Sequence, residues 1–294
     1  MSSFEAAIFV VVGIAAGALS TSFGIGGGAL STPAIRALGV SAIMSIGTTL
    51  PSVLPGVITG MFHYRGQKLI RYEVVAAVAI PGVIASVGGS LVSHSLPGNG
   101  HLIMIITAAI LMLNAIRIAK APRNPVVDAT ADIDNLIVPE AAFLSSSKAA
   151  PEAMAPMRKT ATATAAMTPR SRVLRLGFIG ILAGLISGML GLGGGIVLVP
   201  MFVQRLGLSL RESTATSLVC VGVLAVPSII THTFIGDINW TVSALLTLGT
   251  IPGAHLGAKL ALRVSELWLR RSAALVLSVV AMLYGAAEMI ALLR

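Results

Sequence analysis

The ten-residue stretch GIGGGALSTP occupies residues 24–33, and a closely similar stretch, GLGGGIVLVP, occupies residues 191–200. In each copy a group of glycines stands where one long apolar segment ends and the next begins. Glycine takes backbone angles closed to other residues and lacks the side chain that would keep a ligand from the peptide N–H groups. A helix that starts after such glycines directs unpaired N–H groups and the positive end of its dipole at a ligand. The pattern predicts anion sites without charged side chains; the alternative is that the glycines only allow tight helix packing.

Composition indicates a membrane protein. The chain has 294 residues, of which 55% are hydrophobic and 11% are charged, with a mean hydropathy of +0.93. Soluble domains carry about 25% charged residues. The apolar run near the N-terminus lacks a basic leader and is too long for a signal peptide, so we expect a retained first helix. The single Cys220 excludes an intrachain disulfide framework and a cysteine metal cluster, and no metal site or cofactor is predicted.

Membrane-spanning helices need about 20 mainly apolar residues, and the sequence offers two groups of five candidate segments. We expect helices near 4–22, 27–40, 42–63, 72–94 and 101–119, and again near 173–190, 194–208, 213–234, 239–262 and 270–292. The second segment of each group is short and contains a proline, so it is expected to be a full span or else broken, tilted or re-entrant. The predicted domains are a first membrane repeat (1–119), a disordered cytoplasmic linker rich in Ala, Thr, Ser and Pro (120–172), and a second membrane repeat (173–294).

The two hydrophobic groups correspond residue by residue. Gly24 corresponds to Gly191 (191 − 24 = 167), and the hydroxyl pair Thr48–Thr49 corresponds to Thr216–Ser217 (216 − 48 = 168). Lys and Arg are concentrated in alternate loops and beside the linker, which accounts for the net charge of +9 by the positive-inside rule rather than by nucleic-acid binding. Five segments in each repeat then give the repeats opposite orientations. Inverted repeats are typical of secondary transporters, whose substrate sites lie near the membrane midplane.

The two G-[IL]-G-G-G-x-x-x-x-P blocks, one in each hydrophobic half, resemble those of the sulfite exporter TauE/SafE family. The resemblance covers roughly residues 10–119 and 173–292 and leaves out the linker. It implies a transporter of small sulfur-containing anions such as sulfite, sulfonates or sulfoacetate, usually moved out of the cell. It also implies the bacterial inner membrane. The motif does not select one substrate.

The candidate substrate ligands are backbone amides in the two glycine stretches and nearby hydroxyl groups. They are Gly24, Gly26, Gly27, Gly28, Gly191, Gly193, Gly194 and Gly195, with Ser20, Thr21, Ser22, Thr48, Thr49, Ser187, Thr216 and Ser217. Hydroxyls suit the oxygens of an oxyanion; the alternative is that they bond to helix backbone or to a neighbouring helix. His255 is a candidate proton relay because histidine titrates near neutral pH, or else a hydrogen-bonded structural residue. Tyr64 and His232 are expected at the membrane interface.

The sequence therefore predicts an all-α polytopic membrane protein that exports a small sulfur-containing anion by alternating access. An anion channel with the same site and a membrane scaffold that uses the linker are the alternatives. Gly24–Ala29 loosely fits a dinucleotide-binding fingerprint, but it follows a membrane-length helix and no acidic residue lies about 20 positions on. We expect no enzymatic activity and no nucleic-acid partner. The expected partners are the anion and membrane lipid, and a homo-oligomer is left open.

Overall fold

The computed structural model describes residues 3–95, 101–120 and 169–292, and every regular element in these ranges is an α-helix. The first half comprises α1 (Ser3–Phe23), α2 (Gly28–Ala37), α3 (Ala42–Arg65), α4 (Tyr72–Ser95) and α5 (His101–Lys120). The second half comprises α6 (Pro169–Leu190), α7 (Gly195–Leu206), α8 (Leu210–Ile235), α9 (Trp240–Arg263) and α10 (Glu266–Leu292). The predicted all-α class is confirmed. The predicted disorder of the linker concerns residues that lie mainly outside these ranges.

Six helices in the described ranges are long and apolar enough to cross a membrane. They are α1, α3, α4, α8, residues 173–190 of α6 and residues 267–286 of α10. In contrast, α2 and α7 have only 10 and 12 residues, which corresponds to about 15 and 18 Å. A hydrocarbon core is about 30 Å thick, so each of these two helices covers about half of it. Both are continuous helices despite Pro33 and Pro200.

Long helices from different halves pack together at glycines. A Cβ atom on Gly13 of α1 would overlap the carbonyl oxygen of Leu246 in α9, and one on Gly257 of α9 would overlap the carbonyl oxygen of Ala18. Helices α4 and α6 are packed in the same way, with Gly180 against Val78 and Gly188 against Ser86. Residue numbers rise together along both pairs, so α1 runs parallel to α9 and α4 runs parallel to α6. Close backbone approach at small residues is how helices associate where lipid removes the hydrophobic driving force.

One end of the helix bundle is basic. Arg71 pairs with Glu212 at 2.5 Å, Arg211 donates to the carbonyl of Val264 at 2.8 Å, and Arg270 donates to the carbonyl of Ile118 at 2.7 Å. We call this the basic end. At the other end, the opposite end, the carboxylate of Asp237 lies 3.3 Å from His232 and 3.6 Å from His94.

The first two helices form a hairpin that returns to the opposite end. Phe9 near the start of α1 and Ile35 near the end of α2 pack in one cluster with Val242 and Leu246, in the first turns of α9. Helix α1 thus runs toward the basic end and α2 runs back. Helix α6, parallel to α4, starts at the basic end instead. Equivalent helices of the two halves therefore run in opposite directions.

Candidate functional site

The two glycine stretches meet in the interior of the bundle. We call residues 24–28 and 191–195 the first and second glycine loops, and their contact the glycine junction. A Cβ atom on Gly28 would overlap the carbonyl oxygen of Gly191, and one on Gly195 would overlap the carbonyl oxygen of Gly24. Every residue of both loops is buried. The absence of side chains is what lets two peptide backbones touch here.

The loops share most of their backbone conformation. Gly24 and Gly191 both have φ +67°, and Gly26 and Gly193 have φ +82° and +73°. These left-handed angles favour glycine and turn the chain sharply between two helices. One position differs: Gly194 has φ +73°, whereas its counterpart Gly27 has φ −62°, which any residue can adopt.

The amides that follow these turns have no partner. In the described chain, no hydrogen bond involves the backbone N–H groups of Gly26, Gly27 and Gly28, or those of Gly193, Gly194 and Gly195. They are the first N–H groups of α2 and α7, which a helix cannot pair internally. An unpaired polar group in an apolar interior costs several kcal/mol. Two such helix starts, both buried and in contact, suit a ligand that accepts hydrogen bonds and carries negative charge.

Hydroxyls on α3 and α8 hold the loops from the opposite half of the chain. Ser217 donates to the carbonyl of Gly24 at 2.7 Å, and Thr49 lies 3.5 Å from the carbonyl of Gly191. One residue earlier on each helix, Thr48 accepts a bond from the amide of Asn239 at 2.9 Å, and Thr216 accepts one from the amide of Arg71 at 3.1 Å. In this structure, these predicted ligands use their hydroxyls to fix the loops and the starts of α9 and α4.

The hydroxyls at the ends of α1 and α6 divide into two kinds. Thr21 donates to the carbonyl of Ala254 at 2.9 Å and Ser22 to that of Gly257 at 3.0 Å, so both tie α1 to α9. Ser20 and Ser187, which occupy equivalent positions, are buried and have no hydrogen-bond partner. These two side chains stand one turn before Gly24 and Gly191, whose amides bond to their carbonyls.

Tyr64 and His232, which the sequence places at the membrane interface, are buried between helices. Their relative exposures are 1% and 0%. The Tyr64 hydroxyl donates to the carbonyl of Thr21 at 2.7 Å, and Nε2 of His232 lies 3.4 Å from the carbonyl of Gly188. Each side chain thus holds the end of the helix that leads into a glycine loop. His232 corresponds to Tyr64 through the 168-residue spacing between the two halves, so the equivalence of these two positions could be found in the sequence.

The glycine junction is closed. The cavity beside it, lined by Gly26, Gly27 and apolar side chains of α1, α2 and α10, has a volume of about 10 Å³. A single water needs at least about 10–15 Å³. An anion could bind between the loops only if they moved apart.

His255 lies away from the buried glycine loops. It is on an exposed face of α9, where its ring and the ring of His63 form a T-shaped pair with 4.6 Å between centroids. Its role as a proton relay stays a prediction. The structure thus brings the predicted glycines together at one place and leaves the predicted histidine on the surface of the bundle.

Six helices long and apolar enough to cross a membrane indicate a polytopic membrane protein. Residues 9–284 match the family model described as "Sulfite exporter TauE/SafE", and the chain belongs to this family. The match spans both halves and confirms the family resemblance seen in the glycine blocks.

Several relatives are also described as probable membrane transporters. The chain is 23% identical over 291 residues to the probable membrane transporter protein YunE of Bacillus subtilis, which covers 95% of each chain. It is 24% identical to YjnA of the same organism over 87% of this chain and 90% of the relative. It is 21% identical to MJ0441 of Methanocaldococcus jannaschii over 90% of this chain and 89% of the relative. No solved structure matches the chain.

Proposed function

We propose that this transporter exports a small sulfur-containing anion of the sulfite, sulfonate or sulfoacetate class by alternating access. One observation carries the proposal: two helix starts with unpaired amides are buried against each other at the glycine junction. Unpaired amides at two helix starts that touch each other stabilise negative charge without a fixed positive charge. A site of this kind binds an anion without holding it as tightly as a buried salt bridge would.

The two halves act as inverted-topology repeats in this mechanism. Equivalent helices run in opposite directions, and equivalent bonds recur across the junction. The contact of Tyr64 with the carbonyl of Thr21 corresponds to the contact of His232 with the carbonyl of Gly188. In the same way, the contact of Ser217 with the carbonyl of Gly24 corresponds to that of Thr49 with the carbonyl of Gly191. Each half therefore supplies one short helix, α2 or α7, whose start meets the other near the middle of the bundle. Transporters with such repeats expose a central site to one side at a time.

The basic end faces the cytoplasm in this proposal, following the positive-inside rule. The linker that joins α5 to α6 then lies on the cytoplasmic side of the inner membrane. Moving one charge through 100 mV changes its free energy by roughly 2.3 kcal/mol. With the cell interior negative, the outward passage of an anion is electrically downhill, so the transporter needs no coupled ion.

The closed junction favours a carrier over a channel with the same site. The cavity of about 10 Å³ beside the loops is too small for an anion, and in this proposal a conformational change opens the junction for each transported ion. A carrier saturates with substrate and shows counterflow, whereas an open channel does neither. A scaffold role for the linker predicts that deleting residues 125–165 abolishes function; an export mechanism built on the junction predicts intact transport.

The experiment combines binding with flux. Purified full-length protein is heated with sulfite, thiosulfate, taurine, sulfoacetate or sulfate, because a ligand that binds only the folded state raises its stability. The anion that stabilises most is then followed as radiolabel in proteoliposomes, with counterflow as the assay for a carrier. We expect saturable flux that Gly27→Val abolishes while Gly27→Ala, whose added Cβ would lie 3.6 Å from its nearest neighbour, keeps the fold.

Gly194→Val is expected to abolish flux as well, but its left-handed φ makes folding the first question for that variant. Recovery from detergent as a single species separates loss of function from loss of fold for both variants. Wild-type flux by folded Gly27→Val protein would contradict the assignment. Flux that rises without saturation, and without counterflow, would replace the carrier by a channel.

A further inference from the structure

Three unpartnered polar groups occupy four consecutive residues at the start of α8. Among the described residues, the buried side-chain atoms without a hydrogen-bond partner are Ser20 Oγ, Ser187 Oγ, Arg211 Nε, Ser213 Oγ and Thr214 Oγ1. The last three are close neighbours in sequence, and Ser213 and Thr214 are 0% and 1% exposed. Buried polar groups in proteins are nearly always hydrogen-bonded, so this concentration calls for a ligand or for water.

These groups lie between the basic end and the glycine junction. Arg211 is fixed at the basic end by its bond to the carbonyl of Val264. One turn further along α8, a Cβ on Gly24 would lie 2.7 Å from the Cα of Thr214, and Ser217 bonds to the carbonyl of Gly24. Thr214 lies three residues and Ser213 four residues before Ser217, so each of them neighbours Ser217 on the surface of the helix. Thr214 and Ser217 pack against the first glycine loop.

The guanidinium of Arg211 is not paired with the carboxylate of Glu212, the next residue in the chain. Glu212 accepts bonds from the guanidinium of Arg71 and from the backbone amide of Ser209, and so closes the cap of α8. Arg211 makes no salt bridge in the part of the chain that the structure describes. Arg211 keeps one guanidinium N–H without a partner within the same four residues as two free hydroxyls, at the positive end of a long helix. Together these groups match an oxyanion in charge and in hydrogen-bonding capacity.

The other half of the chain has no equivalent. The 168-residue spacing places Ile43 opposite Arg211, Ser45 opposite Ser213 and Ile46 opposite Thr214. The hydroxyl of Ser45 is already bonded, at 2.8 Å, to the carbonyl of Ser41. The start of α3 at the opposite end therefore lacks both the charge and the free hydroxyls. The difference is specific to one end of an otherwise repeated arrangement.

We propose that Arg211, Ser213 and Thr214 form an oxyanion-binding subsite through which the anion reaches the glycine junction from the basic end. This inference rests on the proposed function and adds residues to it. The guanidinium and the two hydroxyls bind a sulfur oxyanion before the loops separate. The junction then accepts the anion with its amides, and no matching subsite retains it at the opposite end.

The test measures the concentration dependence of radiolabelled sulfite flux by the full-length protein in proteoliposomes. Loss of one charge-assisted hydrogen bond corresponds to a change of about tenfold or more in affinity. Arg211→Gln should therefore raise the half-saturating sulfite concentration about tenfold, while the maximal flux changes by less than about threefold. Arg211→Lys should restore part of the affinity, because it keeps the charge and loses the planar fork. The double variant Ser213→Ala/Thr214→Val, which keeps Arg211, should raise half-saturation as well.

Two matched controls accompany these variants. Ser45→Ala removes the equivalent hydroxyl that is already bonded, and Arg205→Gln removes an exposed charge from the last turn of α7. Neither variant should change the half-saturating sulfite concentration by more than about twofold. Unchanged half-saturation in Arg211→Gln and in the double variant would overturn the subsite, as would an equal shift in Arg205→Gln. Absence of saturable sulfite flux and of sulfite-induced thermal stabilisation in the wild-type protein would instead remove sulfite as the substrate of the proposed function, and this subsite with it.

Discussion

The two glycine loops have nearly the same sequence, yet they are not held in the same way. Each touches the backbone of the other, and each receives a hydroxyl from the opposite half, Ser217 or Thr49. Away from this contact the halves differ. Tyr64 stands where the second half has His232, and Arg211 stands where the first half has Ile43. The contact between the loops leaves no room for side chains, whereas the surroundings toward each end accommodate different residues in the two halves.

The largest effect is expected where the two loops touch. Gly28→Ala and Gly195→Ala each place a methyl group on a carbonyl oxygen of the facing loop, and backbone on both sides leaves no flexible atom to yield. We expect no folded protein from either variant, measured as the monodisperse fraction in detergent. Gly88→Ala is the control, because a Cβ there meets nothing within 4 Å. Normal recovery of both loop variants would show that the junction opens readily and that its contact is not essential to the fold.

A smaller effect is expected where the loops differ. Gly194→Ala forces a left-handed residue, at a cost of about 1–2 kcal/mol, and places a Cβ 2.6 Å from the carbonyl oxygen of Ala183. Gly27→Ala has ordinary φ and ordinary contacts at the equivalent position. The midpoint temperature of thermal unfolding should therefore fall by several degrees for Gly194→Ala and stay close to the wild-type value for Gly27→Ala. Equal shifts in the two variants would mean that the loops are conformationally equivalent after all.

The smallest effect is expected at the residues that hold the ends of α1 and α6. Tyr64→Phe removes a short bond and leaves the buried carbonyl of Thr21 without that donor, which costs about 1–2 kcal/mol. Tyr72→Phe serves as control because Tyr72 is 57% exposed. The midpoint temperature of thermal unfolding is measured for both variants in the same detergent. If the two variants lower this temperature equally, the Tyr64 hydroxyl does not stabilise the first glycine loop.

Much of the fold followed from the sequence because hydrophobic length and glycine spacing are local properties. The ten predicted segments match ten helices in the described residues, and Gly24 and Gly191 share a left-handed φ of +67°. Segment ends were less accurate. Helix α2 ends at Ala37 instead of residue 40, because Gly39 with φ +92° turns the chain away.

The partners of the helices could not be predicted in this way. In a chain that is apolar on most faces, periodicity does not tell which face meets protein and which meets lipid. The parallel pairing of α1 with α9, and the burial of Tyr64 and His232, are tertiary results of this kind. The glycines of the junction were found because their spacing repeats. In the sequence, Arg211 is one of the Lys and Arg residues concentrated in alternate loops, and only the contacts of its guanidinium show that part of it is buried without a partner.

The central claim is that backbone amides of both glycine loops bind the transported anion together. Selenite is a close analogue of sulfite, and selenium can be located by its anomalous X-ray signal in crystals of the full-length protein. We expect a selenium position within hydrogen-bonding distance of amides from both Gly26–Gly28 and Gly193–Gly195, with the loops further apart than in the closed structure. A selenium site elsewhere in the bundle, in protein that transports selenite, would contradict it.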